Sequence, residues 1–196
     1  MTDPRRHAPA TLRNREPLLV TLRRHLPATG LLLEIASGTG EHAAFLAAAL
    51  PHLTLQPTER DPDALPGIDA WCTGLPNCRP ALRLDATAPR WPAAAAVLCV
   101  NMIHIAPWAA TLGLMRGAAA SLPVGGPLIL YGPFRRGGAH TAPGNAVFDA
   151  ELRARDPAWG LRDLEAVAEA AAAQGFAPPI VEPMPANNLT LVFHRS

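Results

Sequence analysis

The sequence predicts a doubly wound α/β fold: a seven-stranded mixed sheet that is mostly parallel, with the last strand antiparallel. Two observations predict it. Short apolar runs alternate with longer segments of helical spacing, which is typical of a parallel sheet covered by helices on both faces. A Ser/Gly/Thr turn at residues 37–40 joins the first apolar run to a helix, at the place where such sheets bind nucleotide-like ligands.

The elements alternate regularly up to residue 131. A helix is predicted at residues 15–26, with Pro17 in its first turn, where backbone amides have no acceptor within the helix in any case. Strands are predicted at residues 31–35, 53–57, 81–84, 95–100 and 128–131. Helices are predicted at about residues 41–50 and from Trp108 onward.

The alternation stops between residues 132 and 160, where glycine and polar residues predict a long excursion above the sheet. A helix is then predicted at about 163–174, with Asp163 as its N-cap, followed by an antiparallel pair of strands near 180–181 and 189–194. We therefore expect a single domain at residues 1–196, with an N-terminal helical lid at about 8–28 and an insertion over the functional site at about 132–161.

The composition restricts the possible partners. The formal net charge is +1 and no run of arginines exceeds two, so the chain lacks the concentrated positive face that nucleic acid requires. The longest apolar run, residues 93–100, is too short to span a membrane, and residues 1–7 show no signal peptide. Three cysteines without metal-ligand spacing favour a reducing, cytoplasmic location. We expect a small-molecule ligand and a monomer or homodimer.

The glycine-rich turn has the composition of a cofactor-binding loop. Its sequence is Glu34-Ile-Ala36-Ser37-Gly38-Thr-Gly40, and its glycines permit positive φ and a close approach of the backbone to a ligand. A dinucleotide fingerprint would place glycines at positions 36, 38 and 41, where this chain has alanine, glycine and glutamate. Acidic-x-small-x-Gly-x-Gly is instead the pattern of class I methyltransferases that bind S-adenosylmethionine (SAM).

Acidic residues follow the second and third predicted strands. Glu59, about 20 residues beyond the glycine turn, is expected to hold the ribose hydroxyls, with Asp61 as the alternative. In similar proteins an acid after the third strand meets the adenine amino group, so Asp85, followed by Ala86, is expected to accept a hydrogen bond from it; an N-cap role in the next turn competes with that interpretation.

The fourth predicted strand ends in polar residues that face the same crevice. Asn101 would offer its amide there, and strand-end carbonyls around Met102 would stabilise the sulfonium. His104 is the best acid–base candidate because the unperturbed pKa of histidine lies near neutrality. The alternative is a structural histidine after an apolar strand.

Seven motifs extend the pattern over nearly the whole of residues 9–195. They are Pro9-Ala10-x-x-Arg13-Asn14-x-x-Pro17, the stretch from Glu34 to His42, Asn101-Met-Ile-His104-Ile-x-Pro-Trp108, Tyr131-Gly-Pro133, His140-Thr-Ala-Pro143-x-Asn145-x-x-Phe148-Asp149, Arg155-Asp-Pro-x-Trp-Gly160-x-Arg-Asp163 and Pro183-Met-Pro-Ala-Asn-Asn188-Leu. Together they resemble the class I methyltransferase-like family catalogued as domain of unknown function 938, which includes the methyltransferase-like 26 proteins. Thr58-Glu59 departs from the Ser-Asp that the family often has, so Asp61 stays open as the ribose ligand.

The resemblance implies the Rossmann-like fold of class I SAM methyltransferases and a small-molecule acceptor, without naming it. It implies that Arg13 and Asn14 close over the methionine end of SAM, with the Arg13 guanidinium pairing with the carboxylate. The acceptor pocket is expected in the insertion, among polar residues that include Tyr131, His140 and Arg155. Asn187 and Asn188 are expected at its rim, or else to form a turn.

The predicted function is transfer of the SAM methyl group to a small nucleophile, leaving S-adenosylhomocysteine (SAH). A general base is required only if the acceptor arrives protonated, and His104, Tyr131 and His140 are the candidates. The predicted cofactor-binding residues are Arg13, Asn14, Glu34, Ala36, Ser37, Gly38, Gly40, His42, Glu59, Asp61, Asp85, Ala86, Asn101 and Met102, and the predicted acceptor-binding residues are His104, Trp108, Tyr131, Asn145, Asp149 and Arg153. A SAM-binding protein without transferase activity and a nicotinamide-dependent oxidoreductase are the alternatives.

Overall fold

A computed structural model describes residues 3–196; Met1 and Thr2, which the single-domain prediction included, lie outside the described residues. The helices are α1 (Pro9–His25), α2 (Glu41–Ala49), α3 (Leu65–Cys72), α4 (Trp108–Ser121), α5 (Pro143–Arg155) and α6 (Leu164–Ala172). The strands are β1 (Gly30–Ile35), β2 (Leu53–Glu59), β3 (Leu82–Arg83), β4 (Ala96–Val100), β5 (Pro127–Gly132), β6 (Arg135–Arg136), β7 (Ala139–His140), β8 (Ile180–Met184) and β9 (Asn188–His194).

Seven strands form one mixed sheet in the order β3-β2-β1-β4-β5-β9-β8. The strands from β3 to β5 pair in parallel, and β9 runs antiparallel to both of its neighbours. The predicted fold class is therefore confirmed, including the antiparallel last strand. The chain proceeds outward from β1 to β3 and then returns to place β4 on the other side of β1, so the strand order reverses between β1 and β4. The crevice at the carboxyl ends of these two strands is where open α/β sheets bind ligands.

Each face of the sheet has its own apolar cluster. On one face α1 and α2 contribute Leu18, Leu22 and Leu46, all fully buried, and these pack against sheet residues such as Leu32 and Leu98. The other face is covered by α4 and α6, whose inward side chains form a second cluster with β1, β4 and β5. Because both faces are covered, the central strands are apolar on both sides, which explains their near-continuous hydrophobic runs.

Three elements differ from the sequence-based prediction. Helix α1 begins at Pro9, so Pro17 lies inside the helix and not in its first turn. Helix α3 was not predicted, because Pro66 and Gly67 in its first turn obscure the helical pattern. The excursion after β5 contains a two-stranded hairpin and the 13-residue helix α5, whose buried face consists of Asn145, Asp149 and Leu152. A buried face that is mostly polar gives no apolar periodicity, so the helix could not be recognised from the pattern.

Among residues 3–196, no helix combines the length and the apolar character that crossing a bilayer would require.

The interior position of Pro17 leads to a stability prediction. Proline has no N–H to donate to the carbonyl four residues earlier, and its ring crowds that carbonyl. We expect Pro17→Ala to raise the free energy of unfolding by about 1 to 3 kcal/mol, measured by urea denaturation. The same exchange at Pro123, which follows α4 and lies outside any helix, should not stabilise the protein. Unchanged or lower stability of Pro17→Ala would show that the packing of α1 requires the proline.

Candidate active site

The loop between β1 and α2 is held in an unusual backbone conformation. Ala36, Gly38 and Gly40 all have positive φ, at 57°, 58° and 87°. The two glycines serve different purposes. A Cβ on Gly40 would lie 2.7 Å from the Cα of Ile68, so Gly40 allows α3 to approach the loop closely. A Cβ on Gly38 would meet nothing within 4 Å, so Gly38 leaves open space where the loop faces a cavity.

A buried network behind the loop fixes its shape. Glu34 is 2% exposed, and its carboxylate accepts a hydrogen bond from the Ser37 hydroxyl at 2.6 Å. The Ser37 amide donates to the Thr58 carbonyl at 2.7 Å, and the Thr58 hydroxyl donates to the Glu34 carbonyl at 2.7 Å. Burial raises the pKa of Glu34 to about 7, against the opposing hydrogen bond from Ser37. The side chains of Glu34 and Ser37, both predicted as cofactor-binding, are thus buried in this network, and neither residue lines the cavities described below.

The first cavity, of about 230 Å³, lies at the carboxyl ends of β1, β2 and β4. Its wall combines carboxylates with apolar side chains, and its lining consists of Ile35, Ala36, Gly38, Glu59, Arg60, Leu84, Asp85, Ala86, Val100, Met102, Ile105, Ala106 and Ala110. Six of the predicted cofactor-binding residues are therefore brought together here. The apolar members Leu84, Ile105 and Ala110 were missed, because no spacing rule separates such residues from the core.

The carboxylates at this cavity are not equivalent. Glu59 lines it and accepts hydrogen bonds from the amides of Gly38 at 3.1 Å and Arg60 at 2.8 Å. Asp61, the alternative ribose ligand, lies outside the lining and accepts from the Asp63 amide at 3.0 Å, which caps a short 3₁₀ turn. Asp85 lines the cavity, and its Oδ1 accepts hydrogen bonds from the amide and hydroxyl of Thr87 at 2.7 Å each, as expected for a residue that caps the next turn.

A second cavity, of about 570 Å³, lies beside the first and shares Ile105 with it. Its lining comes from α1, the end of β4, β5, α5 and the segment between β8 and β9, and consists of Ala10, Arg13, Asn14, Asn101, Ile105, Tyr131, Pro133, Asn145, Phe148, Pro185, Ala186 and Asn188. Asn188 also donates to the Pro185 carbonyl at 3.0 Å, so it both lines the rim and forms a turn. Phe148 and Pro133 could have been identified, since both stand in the family motifs.

Tyr131 and Asn14 are neighbouring polar residues of this cavity wall. Tyr131 is 3% exposed, and burial raises the pKa of its phenol, against a hydrogen bond with Asn14 and the charge of Arg13. The Asn14 carbonyl oxygen lies 2.7 Å from His42 Nε2, and burial lowers the pKa of His42 to about 4. His42, predicted as cofactor-binding, lines neither cavity, and its contact with Asn14 connects α2 to α1.

His104 lies away from both cavities. It is 1% exposed, and its Nδ1 accepts a hydrogen bond from the Arg162 amide at 3.3 Å. Its ring packs edge-on against Phe134 at 4.9 Å, and Nε2 has no partner among the residues that the structure describes. A Cβ at Gly132 would lie 2.4 Å from Nε2, which leaves no room for a ligand on that side. The geometry therefore matches the structural alternative for His104 better than the acid–base interpretation.

Arg162 joins the loop after β4 to the insertion. Its guanidinium donates to the carbonyls of Ile103 at 2.9 Å and Ala106 at 2.6 Å, and it lies 5.8 Å from the ring centre of Trp108. Trp108 lines neither cavity. Although Arg162 stands in one of the family motifs, its role was not predicted, because carbonyl partners from another segment are invisible in a sequence.

Two more predicted acceptor-binding residues, Asp149 and Arg153, form a support within the insertion together with His140, a predicted general base. Asp149 is 6% exposed and accepts from His140 Nε2 at 3.1 Å, Arg153 Nε at 3.1 Å and the Leu161 amide at 2.6 Å. None of these residues lines the second cavity. Of the predicted acceptor residues, only Tyr131 and Asn145 do, and Asn145 is fixed by donating to Thr141 Oγ1 at 2.9 Å and the Asn187 carbonyl at 3.2 Å.

The buried position of His104 predicts a pH dependence of stability. Burial lowers its pKa from 6.5 to about 3, so below pH 6.5 the unfolded chain binds a proton that the folded protein does not, and stability falls as the pH falls. His104→Asn keeps a hydrogen-bond acceptor for the Arg162 amide and removes the titratable imidazole. Between pH 7.5 and 5.5, the free energy of unfolding of this variant should fall by about 1.4 kcal/mol less than that of the wild type.

Urea denaturation at the two pH values measures this difference. His52→Asn is the matched control, because His52 is exposed. Between the two pH values, its free energy of unfolding should change as much as that of the wild type. If the free energy of unfolding of His104→Asn depended on pH as strongly as that of the wild type, His104 would have to accept a proton in the folded protein.

Solved methyltransferases share this architecture. The SAM-dependent methyltransferase SibL, in its apo form, matches with a TM-score of 0.79 over 95% of this chain and 55% of its own, at 20% sequence identity. Human N-acetylserotonin methyltransferase in complex with SAM matches with a TM-score of 0.82 over 95% of this chain and 53% of its own, at 10% identity. An O-methyltransferase family protein from Burkholderia thailandensis matches with a TM-score of 0.79 over 95% and 57%, at 16% identity. The chain thus spans about half the length of these proteins, and the likeness concerns the fold.

The family follows from a comparison with sequence models. The model described as "Protein of unknown function (DUF938)" matches residues 5–195. That range includes the glycine loop, both cavities and the Arg162 contacts. The chain therefore belongs to the DUF938 family, and its fold is that of class I SAM-dependent methyltransferases.

Proposed function

We propose that the protein is a SAM-dependent methyltransferase that acts on a small molecule. The observation that carries the proposal is the pair of cavities at the topological switch point, which share Ile105 and differ in chemistry. One cavity presents two carboxylates and apolar side chains, as an adenosine requires. The other is larger and neutral apart from one arginine, which suits a separate small ligand.

The first cavity supports binding of the adenosine part of SAM. Glu59, at the end of β2, is placed to accept hydrogen bonds from ribose hydroxyls. Asp85 Oδ1 is engaged by Thr87, which leaves Oδ2 to accept from the adenine amino group. Leu84 and Met102 offer apolar contacts for the faces of the base. The open space at Gly38 supports the close approach of the backbone to the ligand.

The methionine end of the cofactor is proposed to extend toward Ile105 and Asn101. Arg13 stands exposed in the adjoining lining, and no salt bridge within residues 3–196 involves it. A free guanidinium is suited to a carboxylate, in agreement with the role that the family resemblance implies. Asn14, fixed by His42, would supply an amide beside it.

The second cavity supports an acceptor that needs no strong base. Its described lining contains no histidine, carboxylate or cysteine. The raised pKa of Tyr131 keeps its phenol protonated near neutral pH, so that it can donate a hydrogen bond but is a poor base. Bound SAM supplies an electrophilic methyl group on a sulfonium. We therefore propose an acceptor with an available lone pair, such as an uncharged amine, a thiolate or an ionised acid, which the cavity holds in line with that methyl group.

The two alternative functions predict different binding behaviour. A SAM-binding protein without transferase activity would bind SAM and SAH and would give no turnover with any acceptor. A nicotinamide-dependent oxidoreductase would bind the dinucleotide more tightly than SAM, which the missing glycines at positions 36 and 41 argue against. The cytoplasmic location and the monomeric or dimeric state stay predictions.

Cofactor binding is tested by calorimetry with SAH, SAM and NAD. We expect SAH and SAM to bind and NAD not to bind. Gly38→Ala would add a methyl group at a residue that lines the first cavity and should weaken SAH binding at least tenfold. Gly74→Ala is the matched control, because Gly74 also has positive φ and free space around its Cβ but lies outside both cavities. Equal SAH affinity in the two variants would place the cofactor elsewhere.

Turnover is tested by incubating the protein with metabolite extracts and methyl-labelled SAM. With an acceptor identified in this way, Tyr131→Phe should reduce kcat/KM by roughly tenfold, because the variant loses one hydrogen bond. A general base would give a loss of about 100-fold to 10,000-fold. His140→Gln should leave kcat/KM unchanged. The absence of any labelled product, despite SAH binding, would favour the binding protein without transferase activity.

A further inference from the structure

Two cysteine thiols outside both cavities lie against each other. Cys72 is the last residue of α3, Cys78 follows the turn after it, and their sulfurs are 2.8 Å apart. A disulfide bond measures about 2.05 Å, so bonding requires the two sulfurs to approach by less than about an ångström. Both thiols are free in this structure.

The backbone on both sides of the pair is held in place. The Leu75 amide donates to the Cys72 carbonyl at 3.1 Å, and the Cys78 amide donates to the Leu75 carbonyl at 3.1 Å. The side chain of Asn77, the residue before Cys78, donates through Nδ2 to the carbonyls of Ala47, Leu50 and Leu53 at 2.9 to 3.2 Å. Little conformational freedom remains to be lost when the sulfurs join.

The two thiols differ in their access to solvent. Cys72 is 7% exposed and packs in a small apolar cluster with Ala43 and Ile68, whereas Cys78 is partly exposed. The hydrogen bond with Cys72 lowers the pKa of the Cys78 thiol, which favours the thiolate that attacks disulfides. Cys99 is 2% exposed, and burial raises its pKa to about 12, so it is inert by comparison.

We propose that Cys72 and Cys78 are a modification site that forms a reversible intramolecular disulfide by exchange with a low-molecular-weight disulfide. The Cys78 thiolate attacks one sulfur of the incoming disulfide and releases one small thiolate. Cys72 then gives up its proton and attacks Cys78 in the mixed disulfide, and the second small thiolate leaves. The protein loses two electrons and two protons, and the small disulfide is reduced to two thiols.

The bond would connect the end of α3 to the segment that pairs with β2. That segment is already fixed, because the Leu55 amide donates to the Asn77 carbonyl at 2.8 Å and the Arg79 amide donates to the Leu55 carbonyl at 2.9 Å. Since Ile68 of α3 packs against Gly40, the disulfide would brace the helix on which the glycine loop rests. The effect is independent of whether the protein transfers methyl groups.

The test treats the intact protein with glutathione disulfide, stops the exchange by acid, alkylates the remaining thiols and maps the peptides. We expect a bond between Cys72 and Cys78, an alkylated Cys99, and a Tm higher by roughly 5 °C after oxidation. Reduced glutathione should reverse both changes. In Cys72→Ser the reaction should stop at one glutathione on Cys78, and in Cys78→Ser the buried Cys72 should stay reduced, with no rise in Tm in either variant.

Two outcomes would overturn the proposal. One is that the wild type accumulates glutathione on Cys78 without forming the internal bond. The other is that all three thiols stay reduced under conditions that fully oxidise a simple dithiol. Because SAH binding is measured separately, failure here leaves the proposed function untouched.

Discussion

The buried hydrogen bond between Ser37 and Glu34 is the constraint on which the site depends. It fixes the start of a loop in which Ala36 has positive φ, a conformation that costs an L-residue about 1 to 2 kcal/mol. The contacts with Thr58 connect the same loop to β2, so the carboxyl ends of β1 and β2 are held next to each other. Only with that geometry do the Gly38 backbone and the Glu59 carboxylate face the same cavity.

The walls of the second cavity are supported from behind by polar contacts. His42 holds Asn14, Arg162 holds the loop after β4, and Asp149 holds the insertion. These residues are buried or half-buried and line neither cavity, so their side chains shape the site without reaching a ligand there. A ligand pocket built from several loops needs such supports, because each loop alone has few apolar contacts to fix it.

Much of the site could be predicted because it follows the topology. Carboxyl ends of parallel strands meet at one edge, so residues just after β1, β2, β3 and β4 had to converge, as Gly38, Glu59, Asp85 and Met102 do. The sequence could not distinguish residues that line the cavities from residues of the same type that support them. A histidine motif next to a strand end has the same sequence whether its ring faces a ligand or, as in His104, packs on Phe134 and Gly132.

The sequence by itself determined the sheet, its antiparallel last strand and the glycine-rich loop after β1, because these depend on local apolar periodicity and on glycines at fixed spacing. Tertiary structure alone decided which polar side chains line a cavity and which support it. It also decided that Gly40 serves the packing of α3 and that Cys72 and Cys78 touch. The physical reason is that these outcomes depend on distances between segments remote in the chain or separated by a turn, which residue spacing does not specify.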